Sequence, residues 1–248
     1  MTHDFFLAIA VALAATLYAS VGHGGASAYL AILTLAGRVR PEIAVTVLVM
    51  NVLVSSISWF RFRQARHFDL PLTAAFLLFS APAAFVGGLL PISPRLFSLV
   101  LGCALVAAAA RLLLPDPRPH VAARPQGKAL WIAAAVLGTS LGLLSGLTGV
   151  GGGLYLSPLL LFLGWKDTKG AAGISSAFIA INSVTGIAGR LVRGEAFDPS
   201  LWPLVAAAVL GGLIGARYGA SHATPITLRR LLGLVLLIAG AKLLFGGG

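Results

Sequence analysis

Apolar and polar positions divide the chain into eight long hydrophobic runs separated by short stretches rich in charge and proline. The runs cover residues 5–36, 43–60, 71–91, 95–114, 129–164, 170–189, 200–219 and 225–245. Six of them are 18–21 residues long, which is the length that crosses roughly 30 Å of hydrocarbon as an α-helix. The pattern predicts an all-α polytopic membrane protein with eight apolar segments that form eight to ten membrane helices.

The runs 5–36 and 129–164 are too long for one crossing, and each contains a cluster of glycines. Because glycine lets the backbone leave the helix, each run is either a single crossing with a break, two crossings, or a re-entrant pair that returns to its starting side. Residues 26–36 form only about 16 Å of helix. Half-membrane helices that meet near the midplane therefore fit better than full spans.

Two parts of the chain match in order, which indicates an internal duplication. The glycine cluster 21–25 resembles the cluster 148–153. Further matches, 129 to 131 residues apart, are Phe68-Asp69 with Phe197-Asp198, Ser93-Pro94 with Thr224-Pro225, and Arg111-Leu112-Leu113 with Lys242-Leu243-Leu244. We predict two homologous transmembrane repeats, 1–114 and 129–248, joined by a cytoplasmic linker at 115–128. Duplication on this scale is typical of transporters.

Composition excludes a water-soluble fold. The chain is 58% hydrophobic and only 10% charged, whereas soluble domains carry about 25% charged residues. The net charge of +11 is not a nucleic-acid signature, because the 18 Lys and Arg residues form short clusters between apolar runs rather than one patch. The expected surroundings are a lipid bilayer, with no nucleic-acid partner. The single cysteine, Cys103, excludes an internal disulfide framework.

The distribution of Lys and Arg predicts the topology. If each broken run crosses once, the two sides carry ten and eight of these residues, which decides nothing. If each returns to its starting side, the side with 61–66 and 111–128 carries twelve and the side with both termini carries six. The positive-inside rule favours the second arrangement, with a cytoplasmic linker in a multi-pass protein of the inner (plasma) membrane. Each half then has an odd number of crossings, so the repeats are inverted.

The acidic residues indicate an anionic substrate. All seven lie in loops or at segment ends: Asp4, Glu42, Asp69, Asp116, Asp167, Glu195 and Asp198. Cation transporters usually place a carboxylate within the membrane, and none is available here. A helix that restarts after a glycine break instead presents exposed N–H groups and partial positive charge, which favours anions. Two related breaks predict one central site between the halves.

The candidate substrate-binding residues are the glycines of the breaks and polar side chains near or after them. They are Gly22, His23, Gly24, Gly25, Thr46, Asn51, Gly149, Gly151, Gly152, Gly153, Ser175, Ser176 and Asn182. Several alternatives stay open. The glycines could simply allow close helix packing, and the hydroxyls could bond to helix carbonyls. His23 could hydrogen-bond the anion, carry a coupling proton, or satisfy a freed carbonyl. Arg61 and Arg190 are either interfacial anchors or residues that attract an anion towards the pore.

Signatures of enzymes and cofactor sites are missing. The sequence has no HExxH, no CxxC, no intramembrane carboxylate pair and no Walker lysine, and Leu154 stands where a dinucleotide fingerprint needs its third glycine. We expect neither an enzyme nor a bound metal or cofactor. Glycines spaced by four, such as Gly211, Gly215 and Gly219, pack helices within a subunit or between subunits, so a homodimer is an open alternative.

The duplicated glycine motif, with four residues between the second cluster and Pro158 and with Thr46, Ser175 and Ser176 beyond the breaks, resembles the TauE/SafE sulfite exporter (TSUP) family. The likeness covers nearly the whole chain, although His23 interrupts the first cluster and Ala31 stands where the second repeat has Pro158.

The resemblance implies transport of sulfite, sulfoacetate, other organosulfonates or related sulfur-containing anions. We expect a secondary transporter that works by alternating access, with a small anion and a coupling proton as its partners. The alternative is a passive anion channel that uses the same pore.

Overall fold

The computed structural model describes most of the chain, and the rest of this section concerns those residues. They are 2–36, 41–91 and 125–222, with isolated positions in the intervals 93–113 and 226–245. Most of the expected linker, 115–128, and continuous helices over the predicted runs 95–114 and 225–245 lie outside the described residues. The described regular elements are all helical, in agreement with the all-α expectation.

Eight α-helices and one short 3-10 helix follow one another along the continuously described residues. They are α1 (Thr2–Ser20), α2 (Ala26–Leu35), α3 (Pro41–Gln64), α4 (Leu70–Leu89), α5 (Gly127–Thr148), α6 (Gly153–Phe162), α7 (Thr168–Val192), the 3-10 helix Pro199–Leu201, and α8 (Trp202–Ser221). Within the described residues, five helices are long and apolar enough to cross a membrane, namely α3, α4, α5, α7 and the segment that ends with α8. The expectation of a helical membrane protein is therefore confirmed, whereas the count of eight segments extends beyond these residues.

Acidic side chains at segment ends cap the helices that follow them. Asp69 Oδ1 accepts a hydrogen bond from Leu72 N at 3.0 Å, and Asp167 Oδ1 accepts one from Gly170 N at 3.0 Å. Asp198 does the same for the backbone N–H of Ser200 at 2.9 Å. A carboxylate at this position satisfies an N–H that the helix leaves unpaired. These acids therefore define where α4, α7 and the 3-10 helix begin.

Both glycine clusters interrupt a helix through left-handed backbone. Gly22 and Gly25 have φ of 79° and 93°, and Gly149, Gly151 and Gly152 have φ of 68°, 80° and 71°. Residues other than glycine rarely adopt these φ values. They are not helical values, so the chain leaves the helix at both places. A second helix, α2 or α6, then begins within a few residues.

α5 and α4 pack in parallel through glycine notches. Gly138 lies against the carbonyl oxygen of Phe76, and Gly146, eight residues on, lies against that of Ala84. The run that begins with α5 is followed closely by Lys166. The ammonium of Lys166 is 2.7 Å from Asp69 at the start of α4. This run therefore returns to the side from which it started.

The same arrangement recurs at α1 and α8. Gly211 and Gly219 lie against the carbonyl oxygens of Ala12 and Ser20, so these helices are also parallel. The first broken run ends near the beginning of α3, where the Thr46 hydroxyl binds the α7–α8 loop. It too returns to its starting side, opposite to the side of the second run. This favours the returning arrangement over a single crossing.

The lengths of the broken helices differ from the half-membrane expectation in one respect. α2 and α6 have ten residues each, about 15 Å of helix, and are half-membrane elements as expected. α5, however, has 22 residues and is long enough to cross. The reason is that no break interrupts the 22 residues from Gly127 to Thr148 that precede the glycine cluster.

The glycine notches generate a test with a matched pair of substitutions. Gly142 lies against the backbone of Ser80, whereas a Cβ at Gly186 would meet its nearest neighbour only at 3.8 Å. We expect Gly142→Ala to lower the free energy of unfolding by about 1–3 kcal/mol, because the α4 backbone cannot yield locally. Gly186→Ala, also within a buried helix, should be neutral or slightly stabilising. Thermal unfolding of both purified variants in detergent checks this, and equal melting temperatures would contradict it.

Candidate functional site

The two glycine breaks meet at the centre of the described helices. His23, in the first break, donates a hydrogen bond from Nε2 to the carbonyl oxygen of Gly153, the first residue of α6, at 3.1 Å. The ring is 1% exposed. His23 lies three residues before Ala26, where α2 begins. The half-helices α2 and α6 therefore begin next to each other. This is the arrangement that the matched clusters predicted.

Asn51, near the middle of α3, joins both breaks to α7. Its Oδ1 accepts from the backbone N–H of Ala26 at 3.2 Å. Its Nδ2 donates to the Val150 carbonyl at 3.3 Å and to the Ser183 hydroxyl at 2.9 Å. One buried carboxamide therefore satisfies the N-terminus of α2, the turn before α6 and a polar side chain of the central helix.

Close approach at this junction explains why the clusters contain glycine. A Cβ on Gly24 would collide with the Asn51 carboxamide, and a Cβ on Gly151 would collide with Asn51 Nδ2 and Ser183 Oγ. Gly22 lies against the backbone of Ala172 on α7. The packing interpretation of these glycines therefore holds, and the absent side chains let polar groups converge.

A small cavity of about 10 Å³ lies at the junction. His23, Asn51 and the start of α2 contribute to its walls, together with Tyr18 and Ser27, whose hydroxyls are 2.8 Å apart. The cavity is close to the minimum that holds one water molecule. The polar groups at the junction therefore leave little space between them.

Three other predicted residues lie on α3 and α7 with different partners. The Thr46 hydroxyl accepts from the backbone N–H of Asp198 at 3.0 Å, at the outer end of α3 rather than at a break. Ser176 donates to the Gly173 carbonyl of its own helix at 2.8 Å. Ser175 is fully buried, its carbonyl lies against Gly153, and its hydroxyl has no partner in the described part of the chain.

Asn182, a predicted site residue, contacts α4 rather than the junction at Asn51. Asn182 Oδ1 accepts from Ser80 of α4 at 3.1 Å, and its buried Nδ2 has no partner among the described residues. Ser183, one residue on, reaches Asn51 instead. Tyr18 likewise joins the cavity although sequence reasoning passed it over. No sequence signal distinguishes these neighbours, because the rotation of α7 about its axis depends on its packing.

The two predicted arginines lie in the last turns of α3 and α7. Because these helices are antiparallel, the arginines are on opposite sides of the structure and in different environments. Arg190 is 8% exposed and donates to Glu195 at 3.0 Å and to the carbonyls of Gly146 and Leu147 at 3.2 Å. It therefore neutralises the C-terminal end of α5 just before the second break. Arg61 is half-buried at the other end of the helix pair. Anion attraction by either residue stays a prediction.

A second pocket, of about 110 Å³, lies where the α3–α4 and α6–α7 loops meet. Arg66, His67, Asp69, Lys166 and Asp167 contribute both signs of charge to its walls. Burial and the nearby ammonium of Lys169 lower the pKa of His67, and the Asp167 carboxylate partly offsets this. With balanced charges, the pocket has no marked preference for anions. Among the described residues, no group of three or more His, Cys, Asp or Glu side chains could hold a metal ion.

Comparison with protein families identifies the family of the chain. Residues 7–243 match the family described as "Sulfite exporter TauE/SafE". The chain belongs to the TauE/SafE sulfite exporter family. The match covers both glycine breaks and all the candidate residues, so the family resemblance seen in the motifs is confirmed.

Relatives within the family are named as transporters. The chain is 33% identical to "Probable membrane transporter protein y4hK" of Sinorhizobium fredii (strain NBRC 101917 / NGR234), over 98% of this chain and 99% of that protein. A shorter match, 30% identical over 43% of this chain and 38% of the relative, is to "Probable membrane transporter protein YunE" of Bacillus subtilis (strain 168). No solved structure matches the chain. As a TauE/SafE protein, it is a membrane transporter and not an enzyme.

Arg190 and Arg193 give a matched test of how the second break is held, since both pair with Glu195. The Arg190 side chain is 10% exposed and that of Arg193 32%. We expect Arg190→Met to lower the free energy of unfolding by about 3 kcal/mol, because it leaves buried carbonyls and a carboxylate with fewer donors. Arg193→Met should cost about 1 kcal/mol or less. Thermal unfolding of the two variants measures this, and a larger loss for Arg193→Met would refute the assignment.

Proposed function

We propose that this TauE/SafE protein is a secondary transporter of a small sulfur-containing anion, such as sulfite, sulfoacetate or another organosulfonate. The observation that carries the proposal is the convergence of both glycine breaks on Asn51, where α2 and α6 begin side by side. The family's description as sulfite exporters supports the substrate class. We place the anion at this junction.

Elementary electrostatics favours an anion there. The first N–H groups of a helix carry partial positive charge and lack intrahelical acceptors. The N-terminus of α2 lines the cavity, and the other described residues that line it include hydroxyl and carboxamide groups but no carboxylate. Donors of this kind bind an oxyanion without the cost of burying a permanent positive charge.

The helix contacts support alternating access by two inverted repeats, residues 1–114 and 129–248. α1 packs in parallel on α8, and α5 packs in parallel on α4, through the same four-residue glycine spacing. α3 and α7 cross the centre in opposite directions, since Phe62 is near Gly173 and Leu48 is near Gly186. A two-fold relation of this kind lets one repeat move against the other about a fixed central site.

Membership of a family described as sulfite exporters favours a transporter over a passive channel. Further parts of the proposal are proton coupling, a cytoplasmic linker at 115–128 and a place in the inner (plasma) membrane. A homodimer is compatible with it but not required.

Flux through proteoliposomes tests the substrate class. We expect purified protein to move sulfite or sulfoacetate down an imposed anion gradient, with the rate changed by a pH gradient if protons are coupled. Sulfate and a carboxylate such as acetate serve as competitors. If the protein moves neither sulfite nor sulfonates under either gradient, the substrate assignment is wrong. Conductance in planar bilayers of the size typical of channels would instead support the passive alternative.

Asn182, which bonds to Ser80 of α4 rather than to Asn51, tests whether the path of the anion extends along α7 beyond the junction. Asn182→Leu removes a buried carboxamide whose Nδ2 has no partner among the described residues, and we expect transport to be abolished without loss of expression. Ser80→Ala removes only the hydroxyl that Asn182 Oδ1 accepts from, and should retain most of the flux. Normal sulfite flux in Asn182→Leu proteoliposomes would remove Asn182 from the site.

A further inference from the structure

The Asn51 carboxamide occupies a hydrogen-bond donor that an anion at the junction would use. Its Oδ1 accepts from the N–H of Ala26, in the first turn of α2, at 3.2 Å. This N–H is one of the few that a helix leaves without an internal acceptor, and such groups are the natural ligands of an anion at a helix N-terminus. In the structure a neutral amide oxygen takes that place.

The space at the junction leads to the same conclusion. A cavity of about 10 Å³ holds at most one water molecule, whereas sulfite or a sulfonate brings a sulfur atom with several oxygens. Room for it must come from a side chain that moves. Among the side chains that line the cavity, the Asn51 carboxamide is the one that also occupies the Ala26 N–H, so its displacement would provide both room and a free donor.

A second group at the cavity is ready for a ligand. His23 is 1% exposed and lines the cavity. Its Nε2 is bonded to Gly153, but its Nδ1 has no partner in the described part of the chain. Because Nε2 is the donor, Nδ1 is an acceptor in the neutral ring. A buried polar atom without a partner is costly, and a ligand that carries an acidic proton, such as hydrogensulfite, would relieve that cost.

The same carboxamide also makes hydrogen bonds between the two halves of the chain. Its Nδ2 donates to the Val150 carbonyl and to the Ser183 hydroxyl, both in the second half. Oδ1 and Nδ2 belong to one rigid planar group. Any movement that frees the Ala26 N–H therefore also breaks the contacts to the second break and to α7.

We propose that the Asn51 side chain is a built-in stand-in for the transported anion. A sulfur oxyanion takes the Ala26 N–H from Oδ1, and the displaced carboxamide releases Val150 and Ser183, so that binding itself removes the hydrogen bonds that tie α3 to the second break and to α7. A conformational change driven by a ligand needs such a difference in contacts between its two states. This inference rests on the proposed function, because it takes the anion site to be at this junction.

Binding to Asn51 variants separates a stand-in from an ordinary ligand. Asn51→Ala removes the competing oxygen and opens space, so we expect Kd for sulfite and sulfoacetate to fall by roughly 2- to 10-fold. Asn51→Asp keeps the competitor and adds negative charge, so we expect Kd to rise more than about 10-fold. Isothermal titration of the purified full-length protein in detergent measures both.

Flux adds a readout that binding alone does not give. In Asn51→Ala proteoliposomes the contacts to Val150 and Ser183 are absent from the start, so anion binding no longer changes them, and gradient-driven uptake should fall although binding is retained. Ser55→Ala is the matched control. Ser55 is a buried residue one turn along α3 whose hydroxyl donates to the backbone carbonyl of Asn51 and not to its carboxamide. Its Kd and flux should equal those of the unchanged protein. If Asn51→Ala cannot be purified, Ser183→Ala removes one of the two Nδ2 contacts and should lower Kd by about 2-fold.

The outcomes separate this inference from the proposed function. If the unchanged protein and Ser55→Ala bind sulfite but Asn51→Ala, or in its place Ser183→Ala, binds it more than about 10-fold more weakly, the carboxamide network is part of a direct ligand set. The stand-in is then overturned and the transporter proposal stands. Equal affinity in Asn51→Asp and the unchanged protein would also overturn it. If no form of the protein binds or moves sulfite or sulfoacetate, the proposed function fails, and this inference fails with it.

Discussion

The structure depends on one constraint, which is that a chain leaving the helix inside a bilayer must still satisfy its backbone N–H and C=O groups. Water is not available to do so, and a break in a single helix would leave several groups unpaired. Here the two breaks supply partners for each other. His23 of the first break binds the Gly153 carbonyl, and Asn51 binds the Ala26 N–H and the Val150 carbonyl. The glycines allow the necessary approach, so the polar groups and the small residues form one device.

Charge is kept at the ends of the helices in the described part of the chain. Asp69, Asp167 and Asp198 cap helix N-termini, and Arg190 caps the C-terminus of α5 while paired with Glu195. Each charge thus faces the end of a helix dipole that it stabilises. The centre is left to neutral donors, which can exchange partners at less cost than buried ions. A transporter needs this property, because its substrate must leave as readily as it enters.

Sequence reasoning could reach the helices, the two breaks and the family, because each depends on local pattern. Runs of apolar residues set the helix lengths, and clustered glycines mark where the backbone turns. The pairing of side chains could not be reached in the same way. Successive residues of a helix point about 100° apart, so Ser183 rather than Asn182 meets Asn51 only because of how α7 is rotated against α3. The buried role of Arg190 also depends on a partner, Glu195, which lies beyond the end of its helix.

The parallel pairs have a consequence for how the chain is assembled during synthesis. α1 is made before the other described helices, but the helix whose notches it fills, α8, is the last of the continuously described helices to leave the ribosome. α4 must likewise wait for α5. The early helices therefore enter the bilayer with carbonyl-lined faces still uncovered, and their close packing is complete only when the late helices insert beside them. Assembly of this fold is an interlocking of early and late segments rather than the addition of one finished half to another.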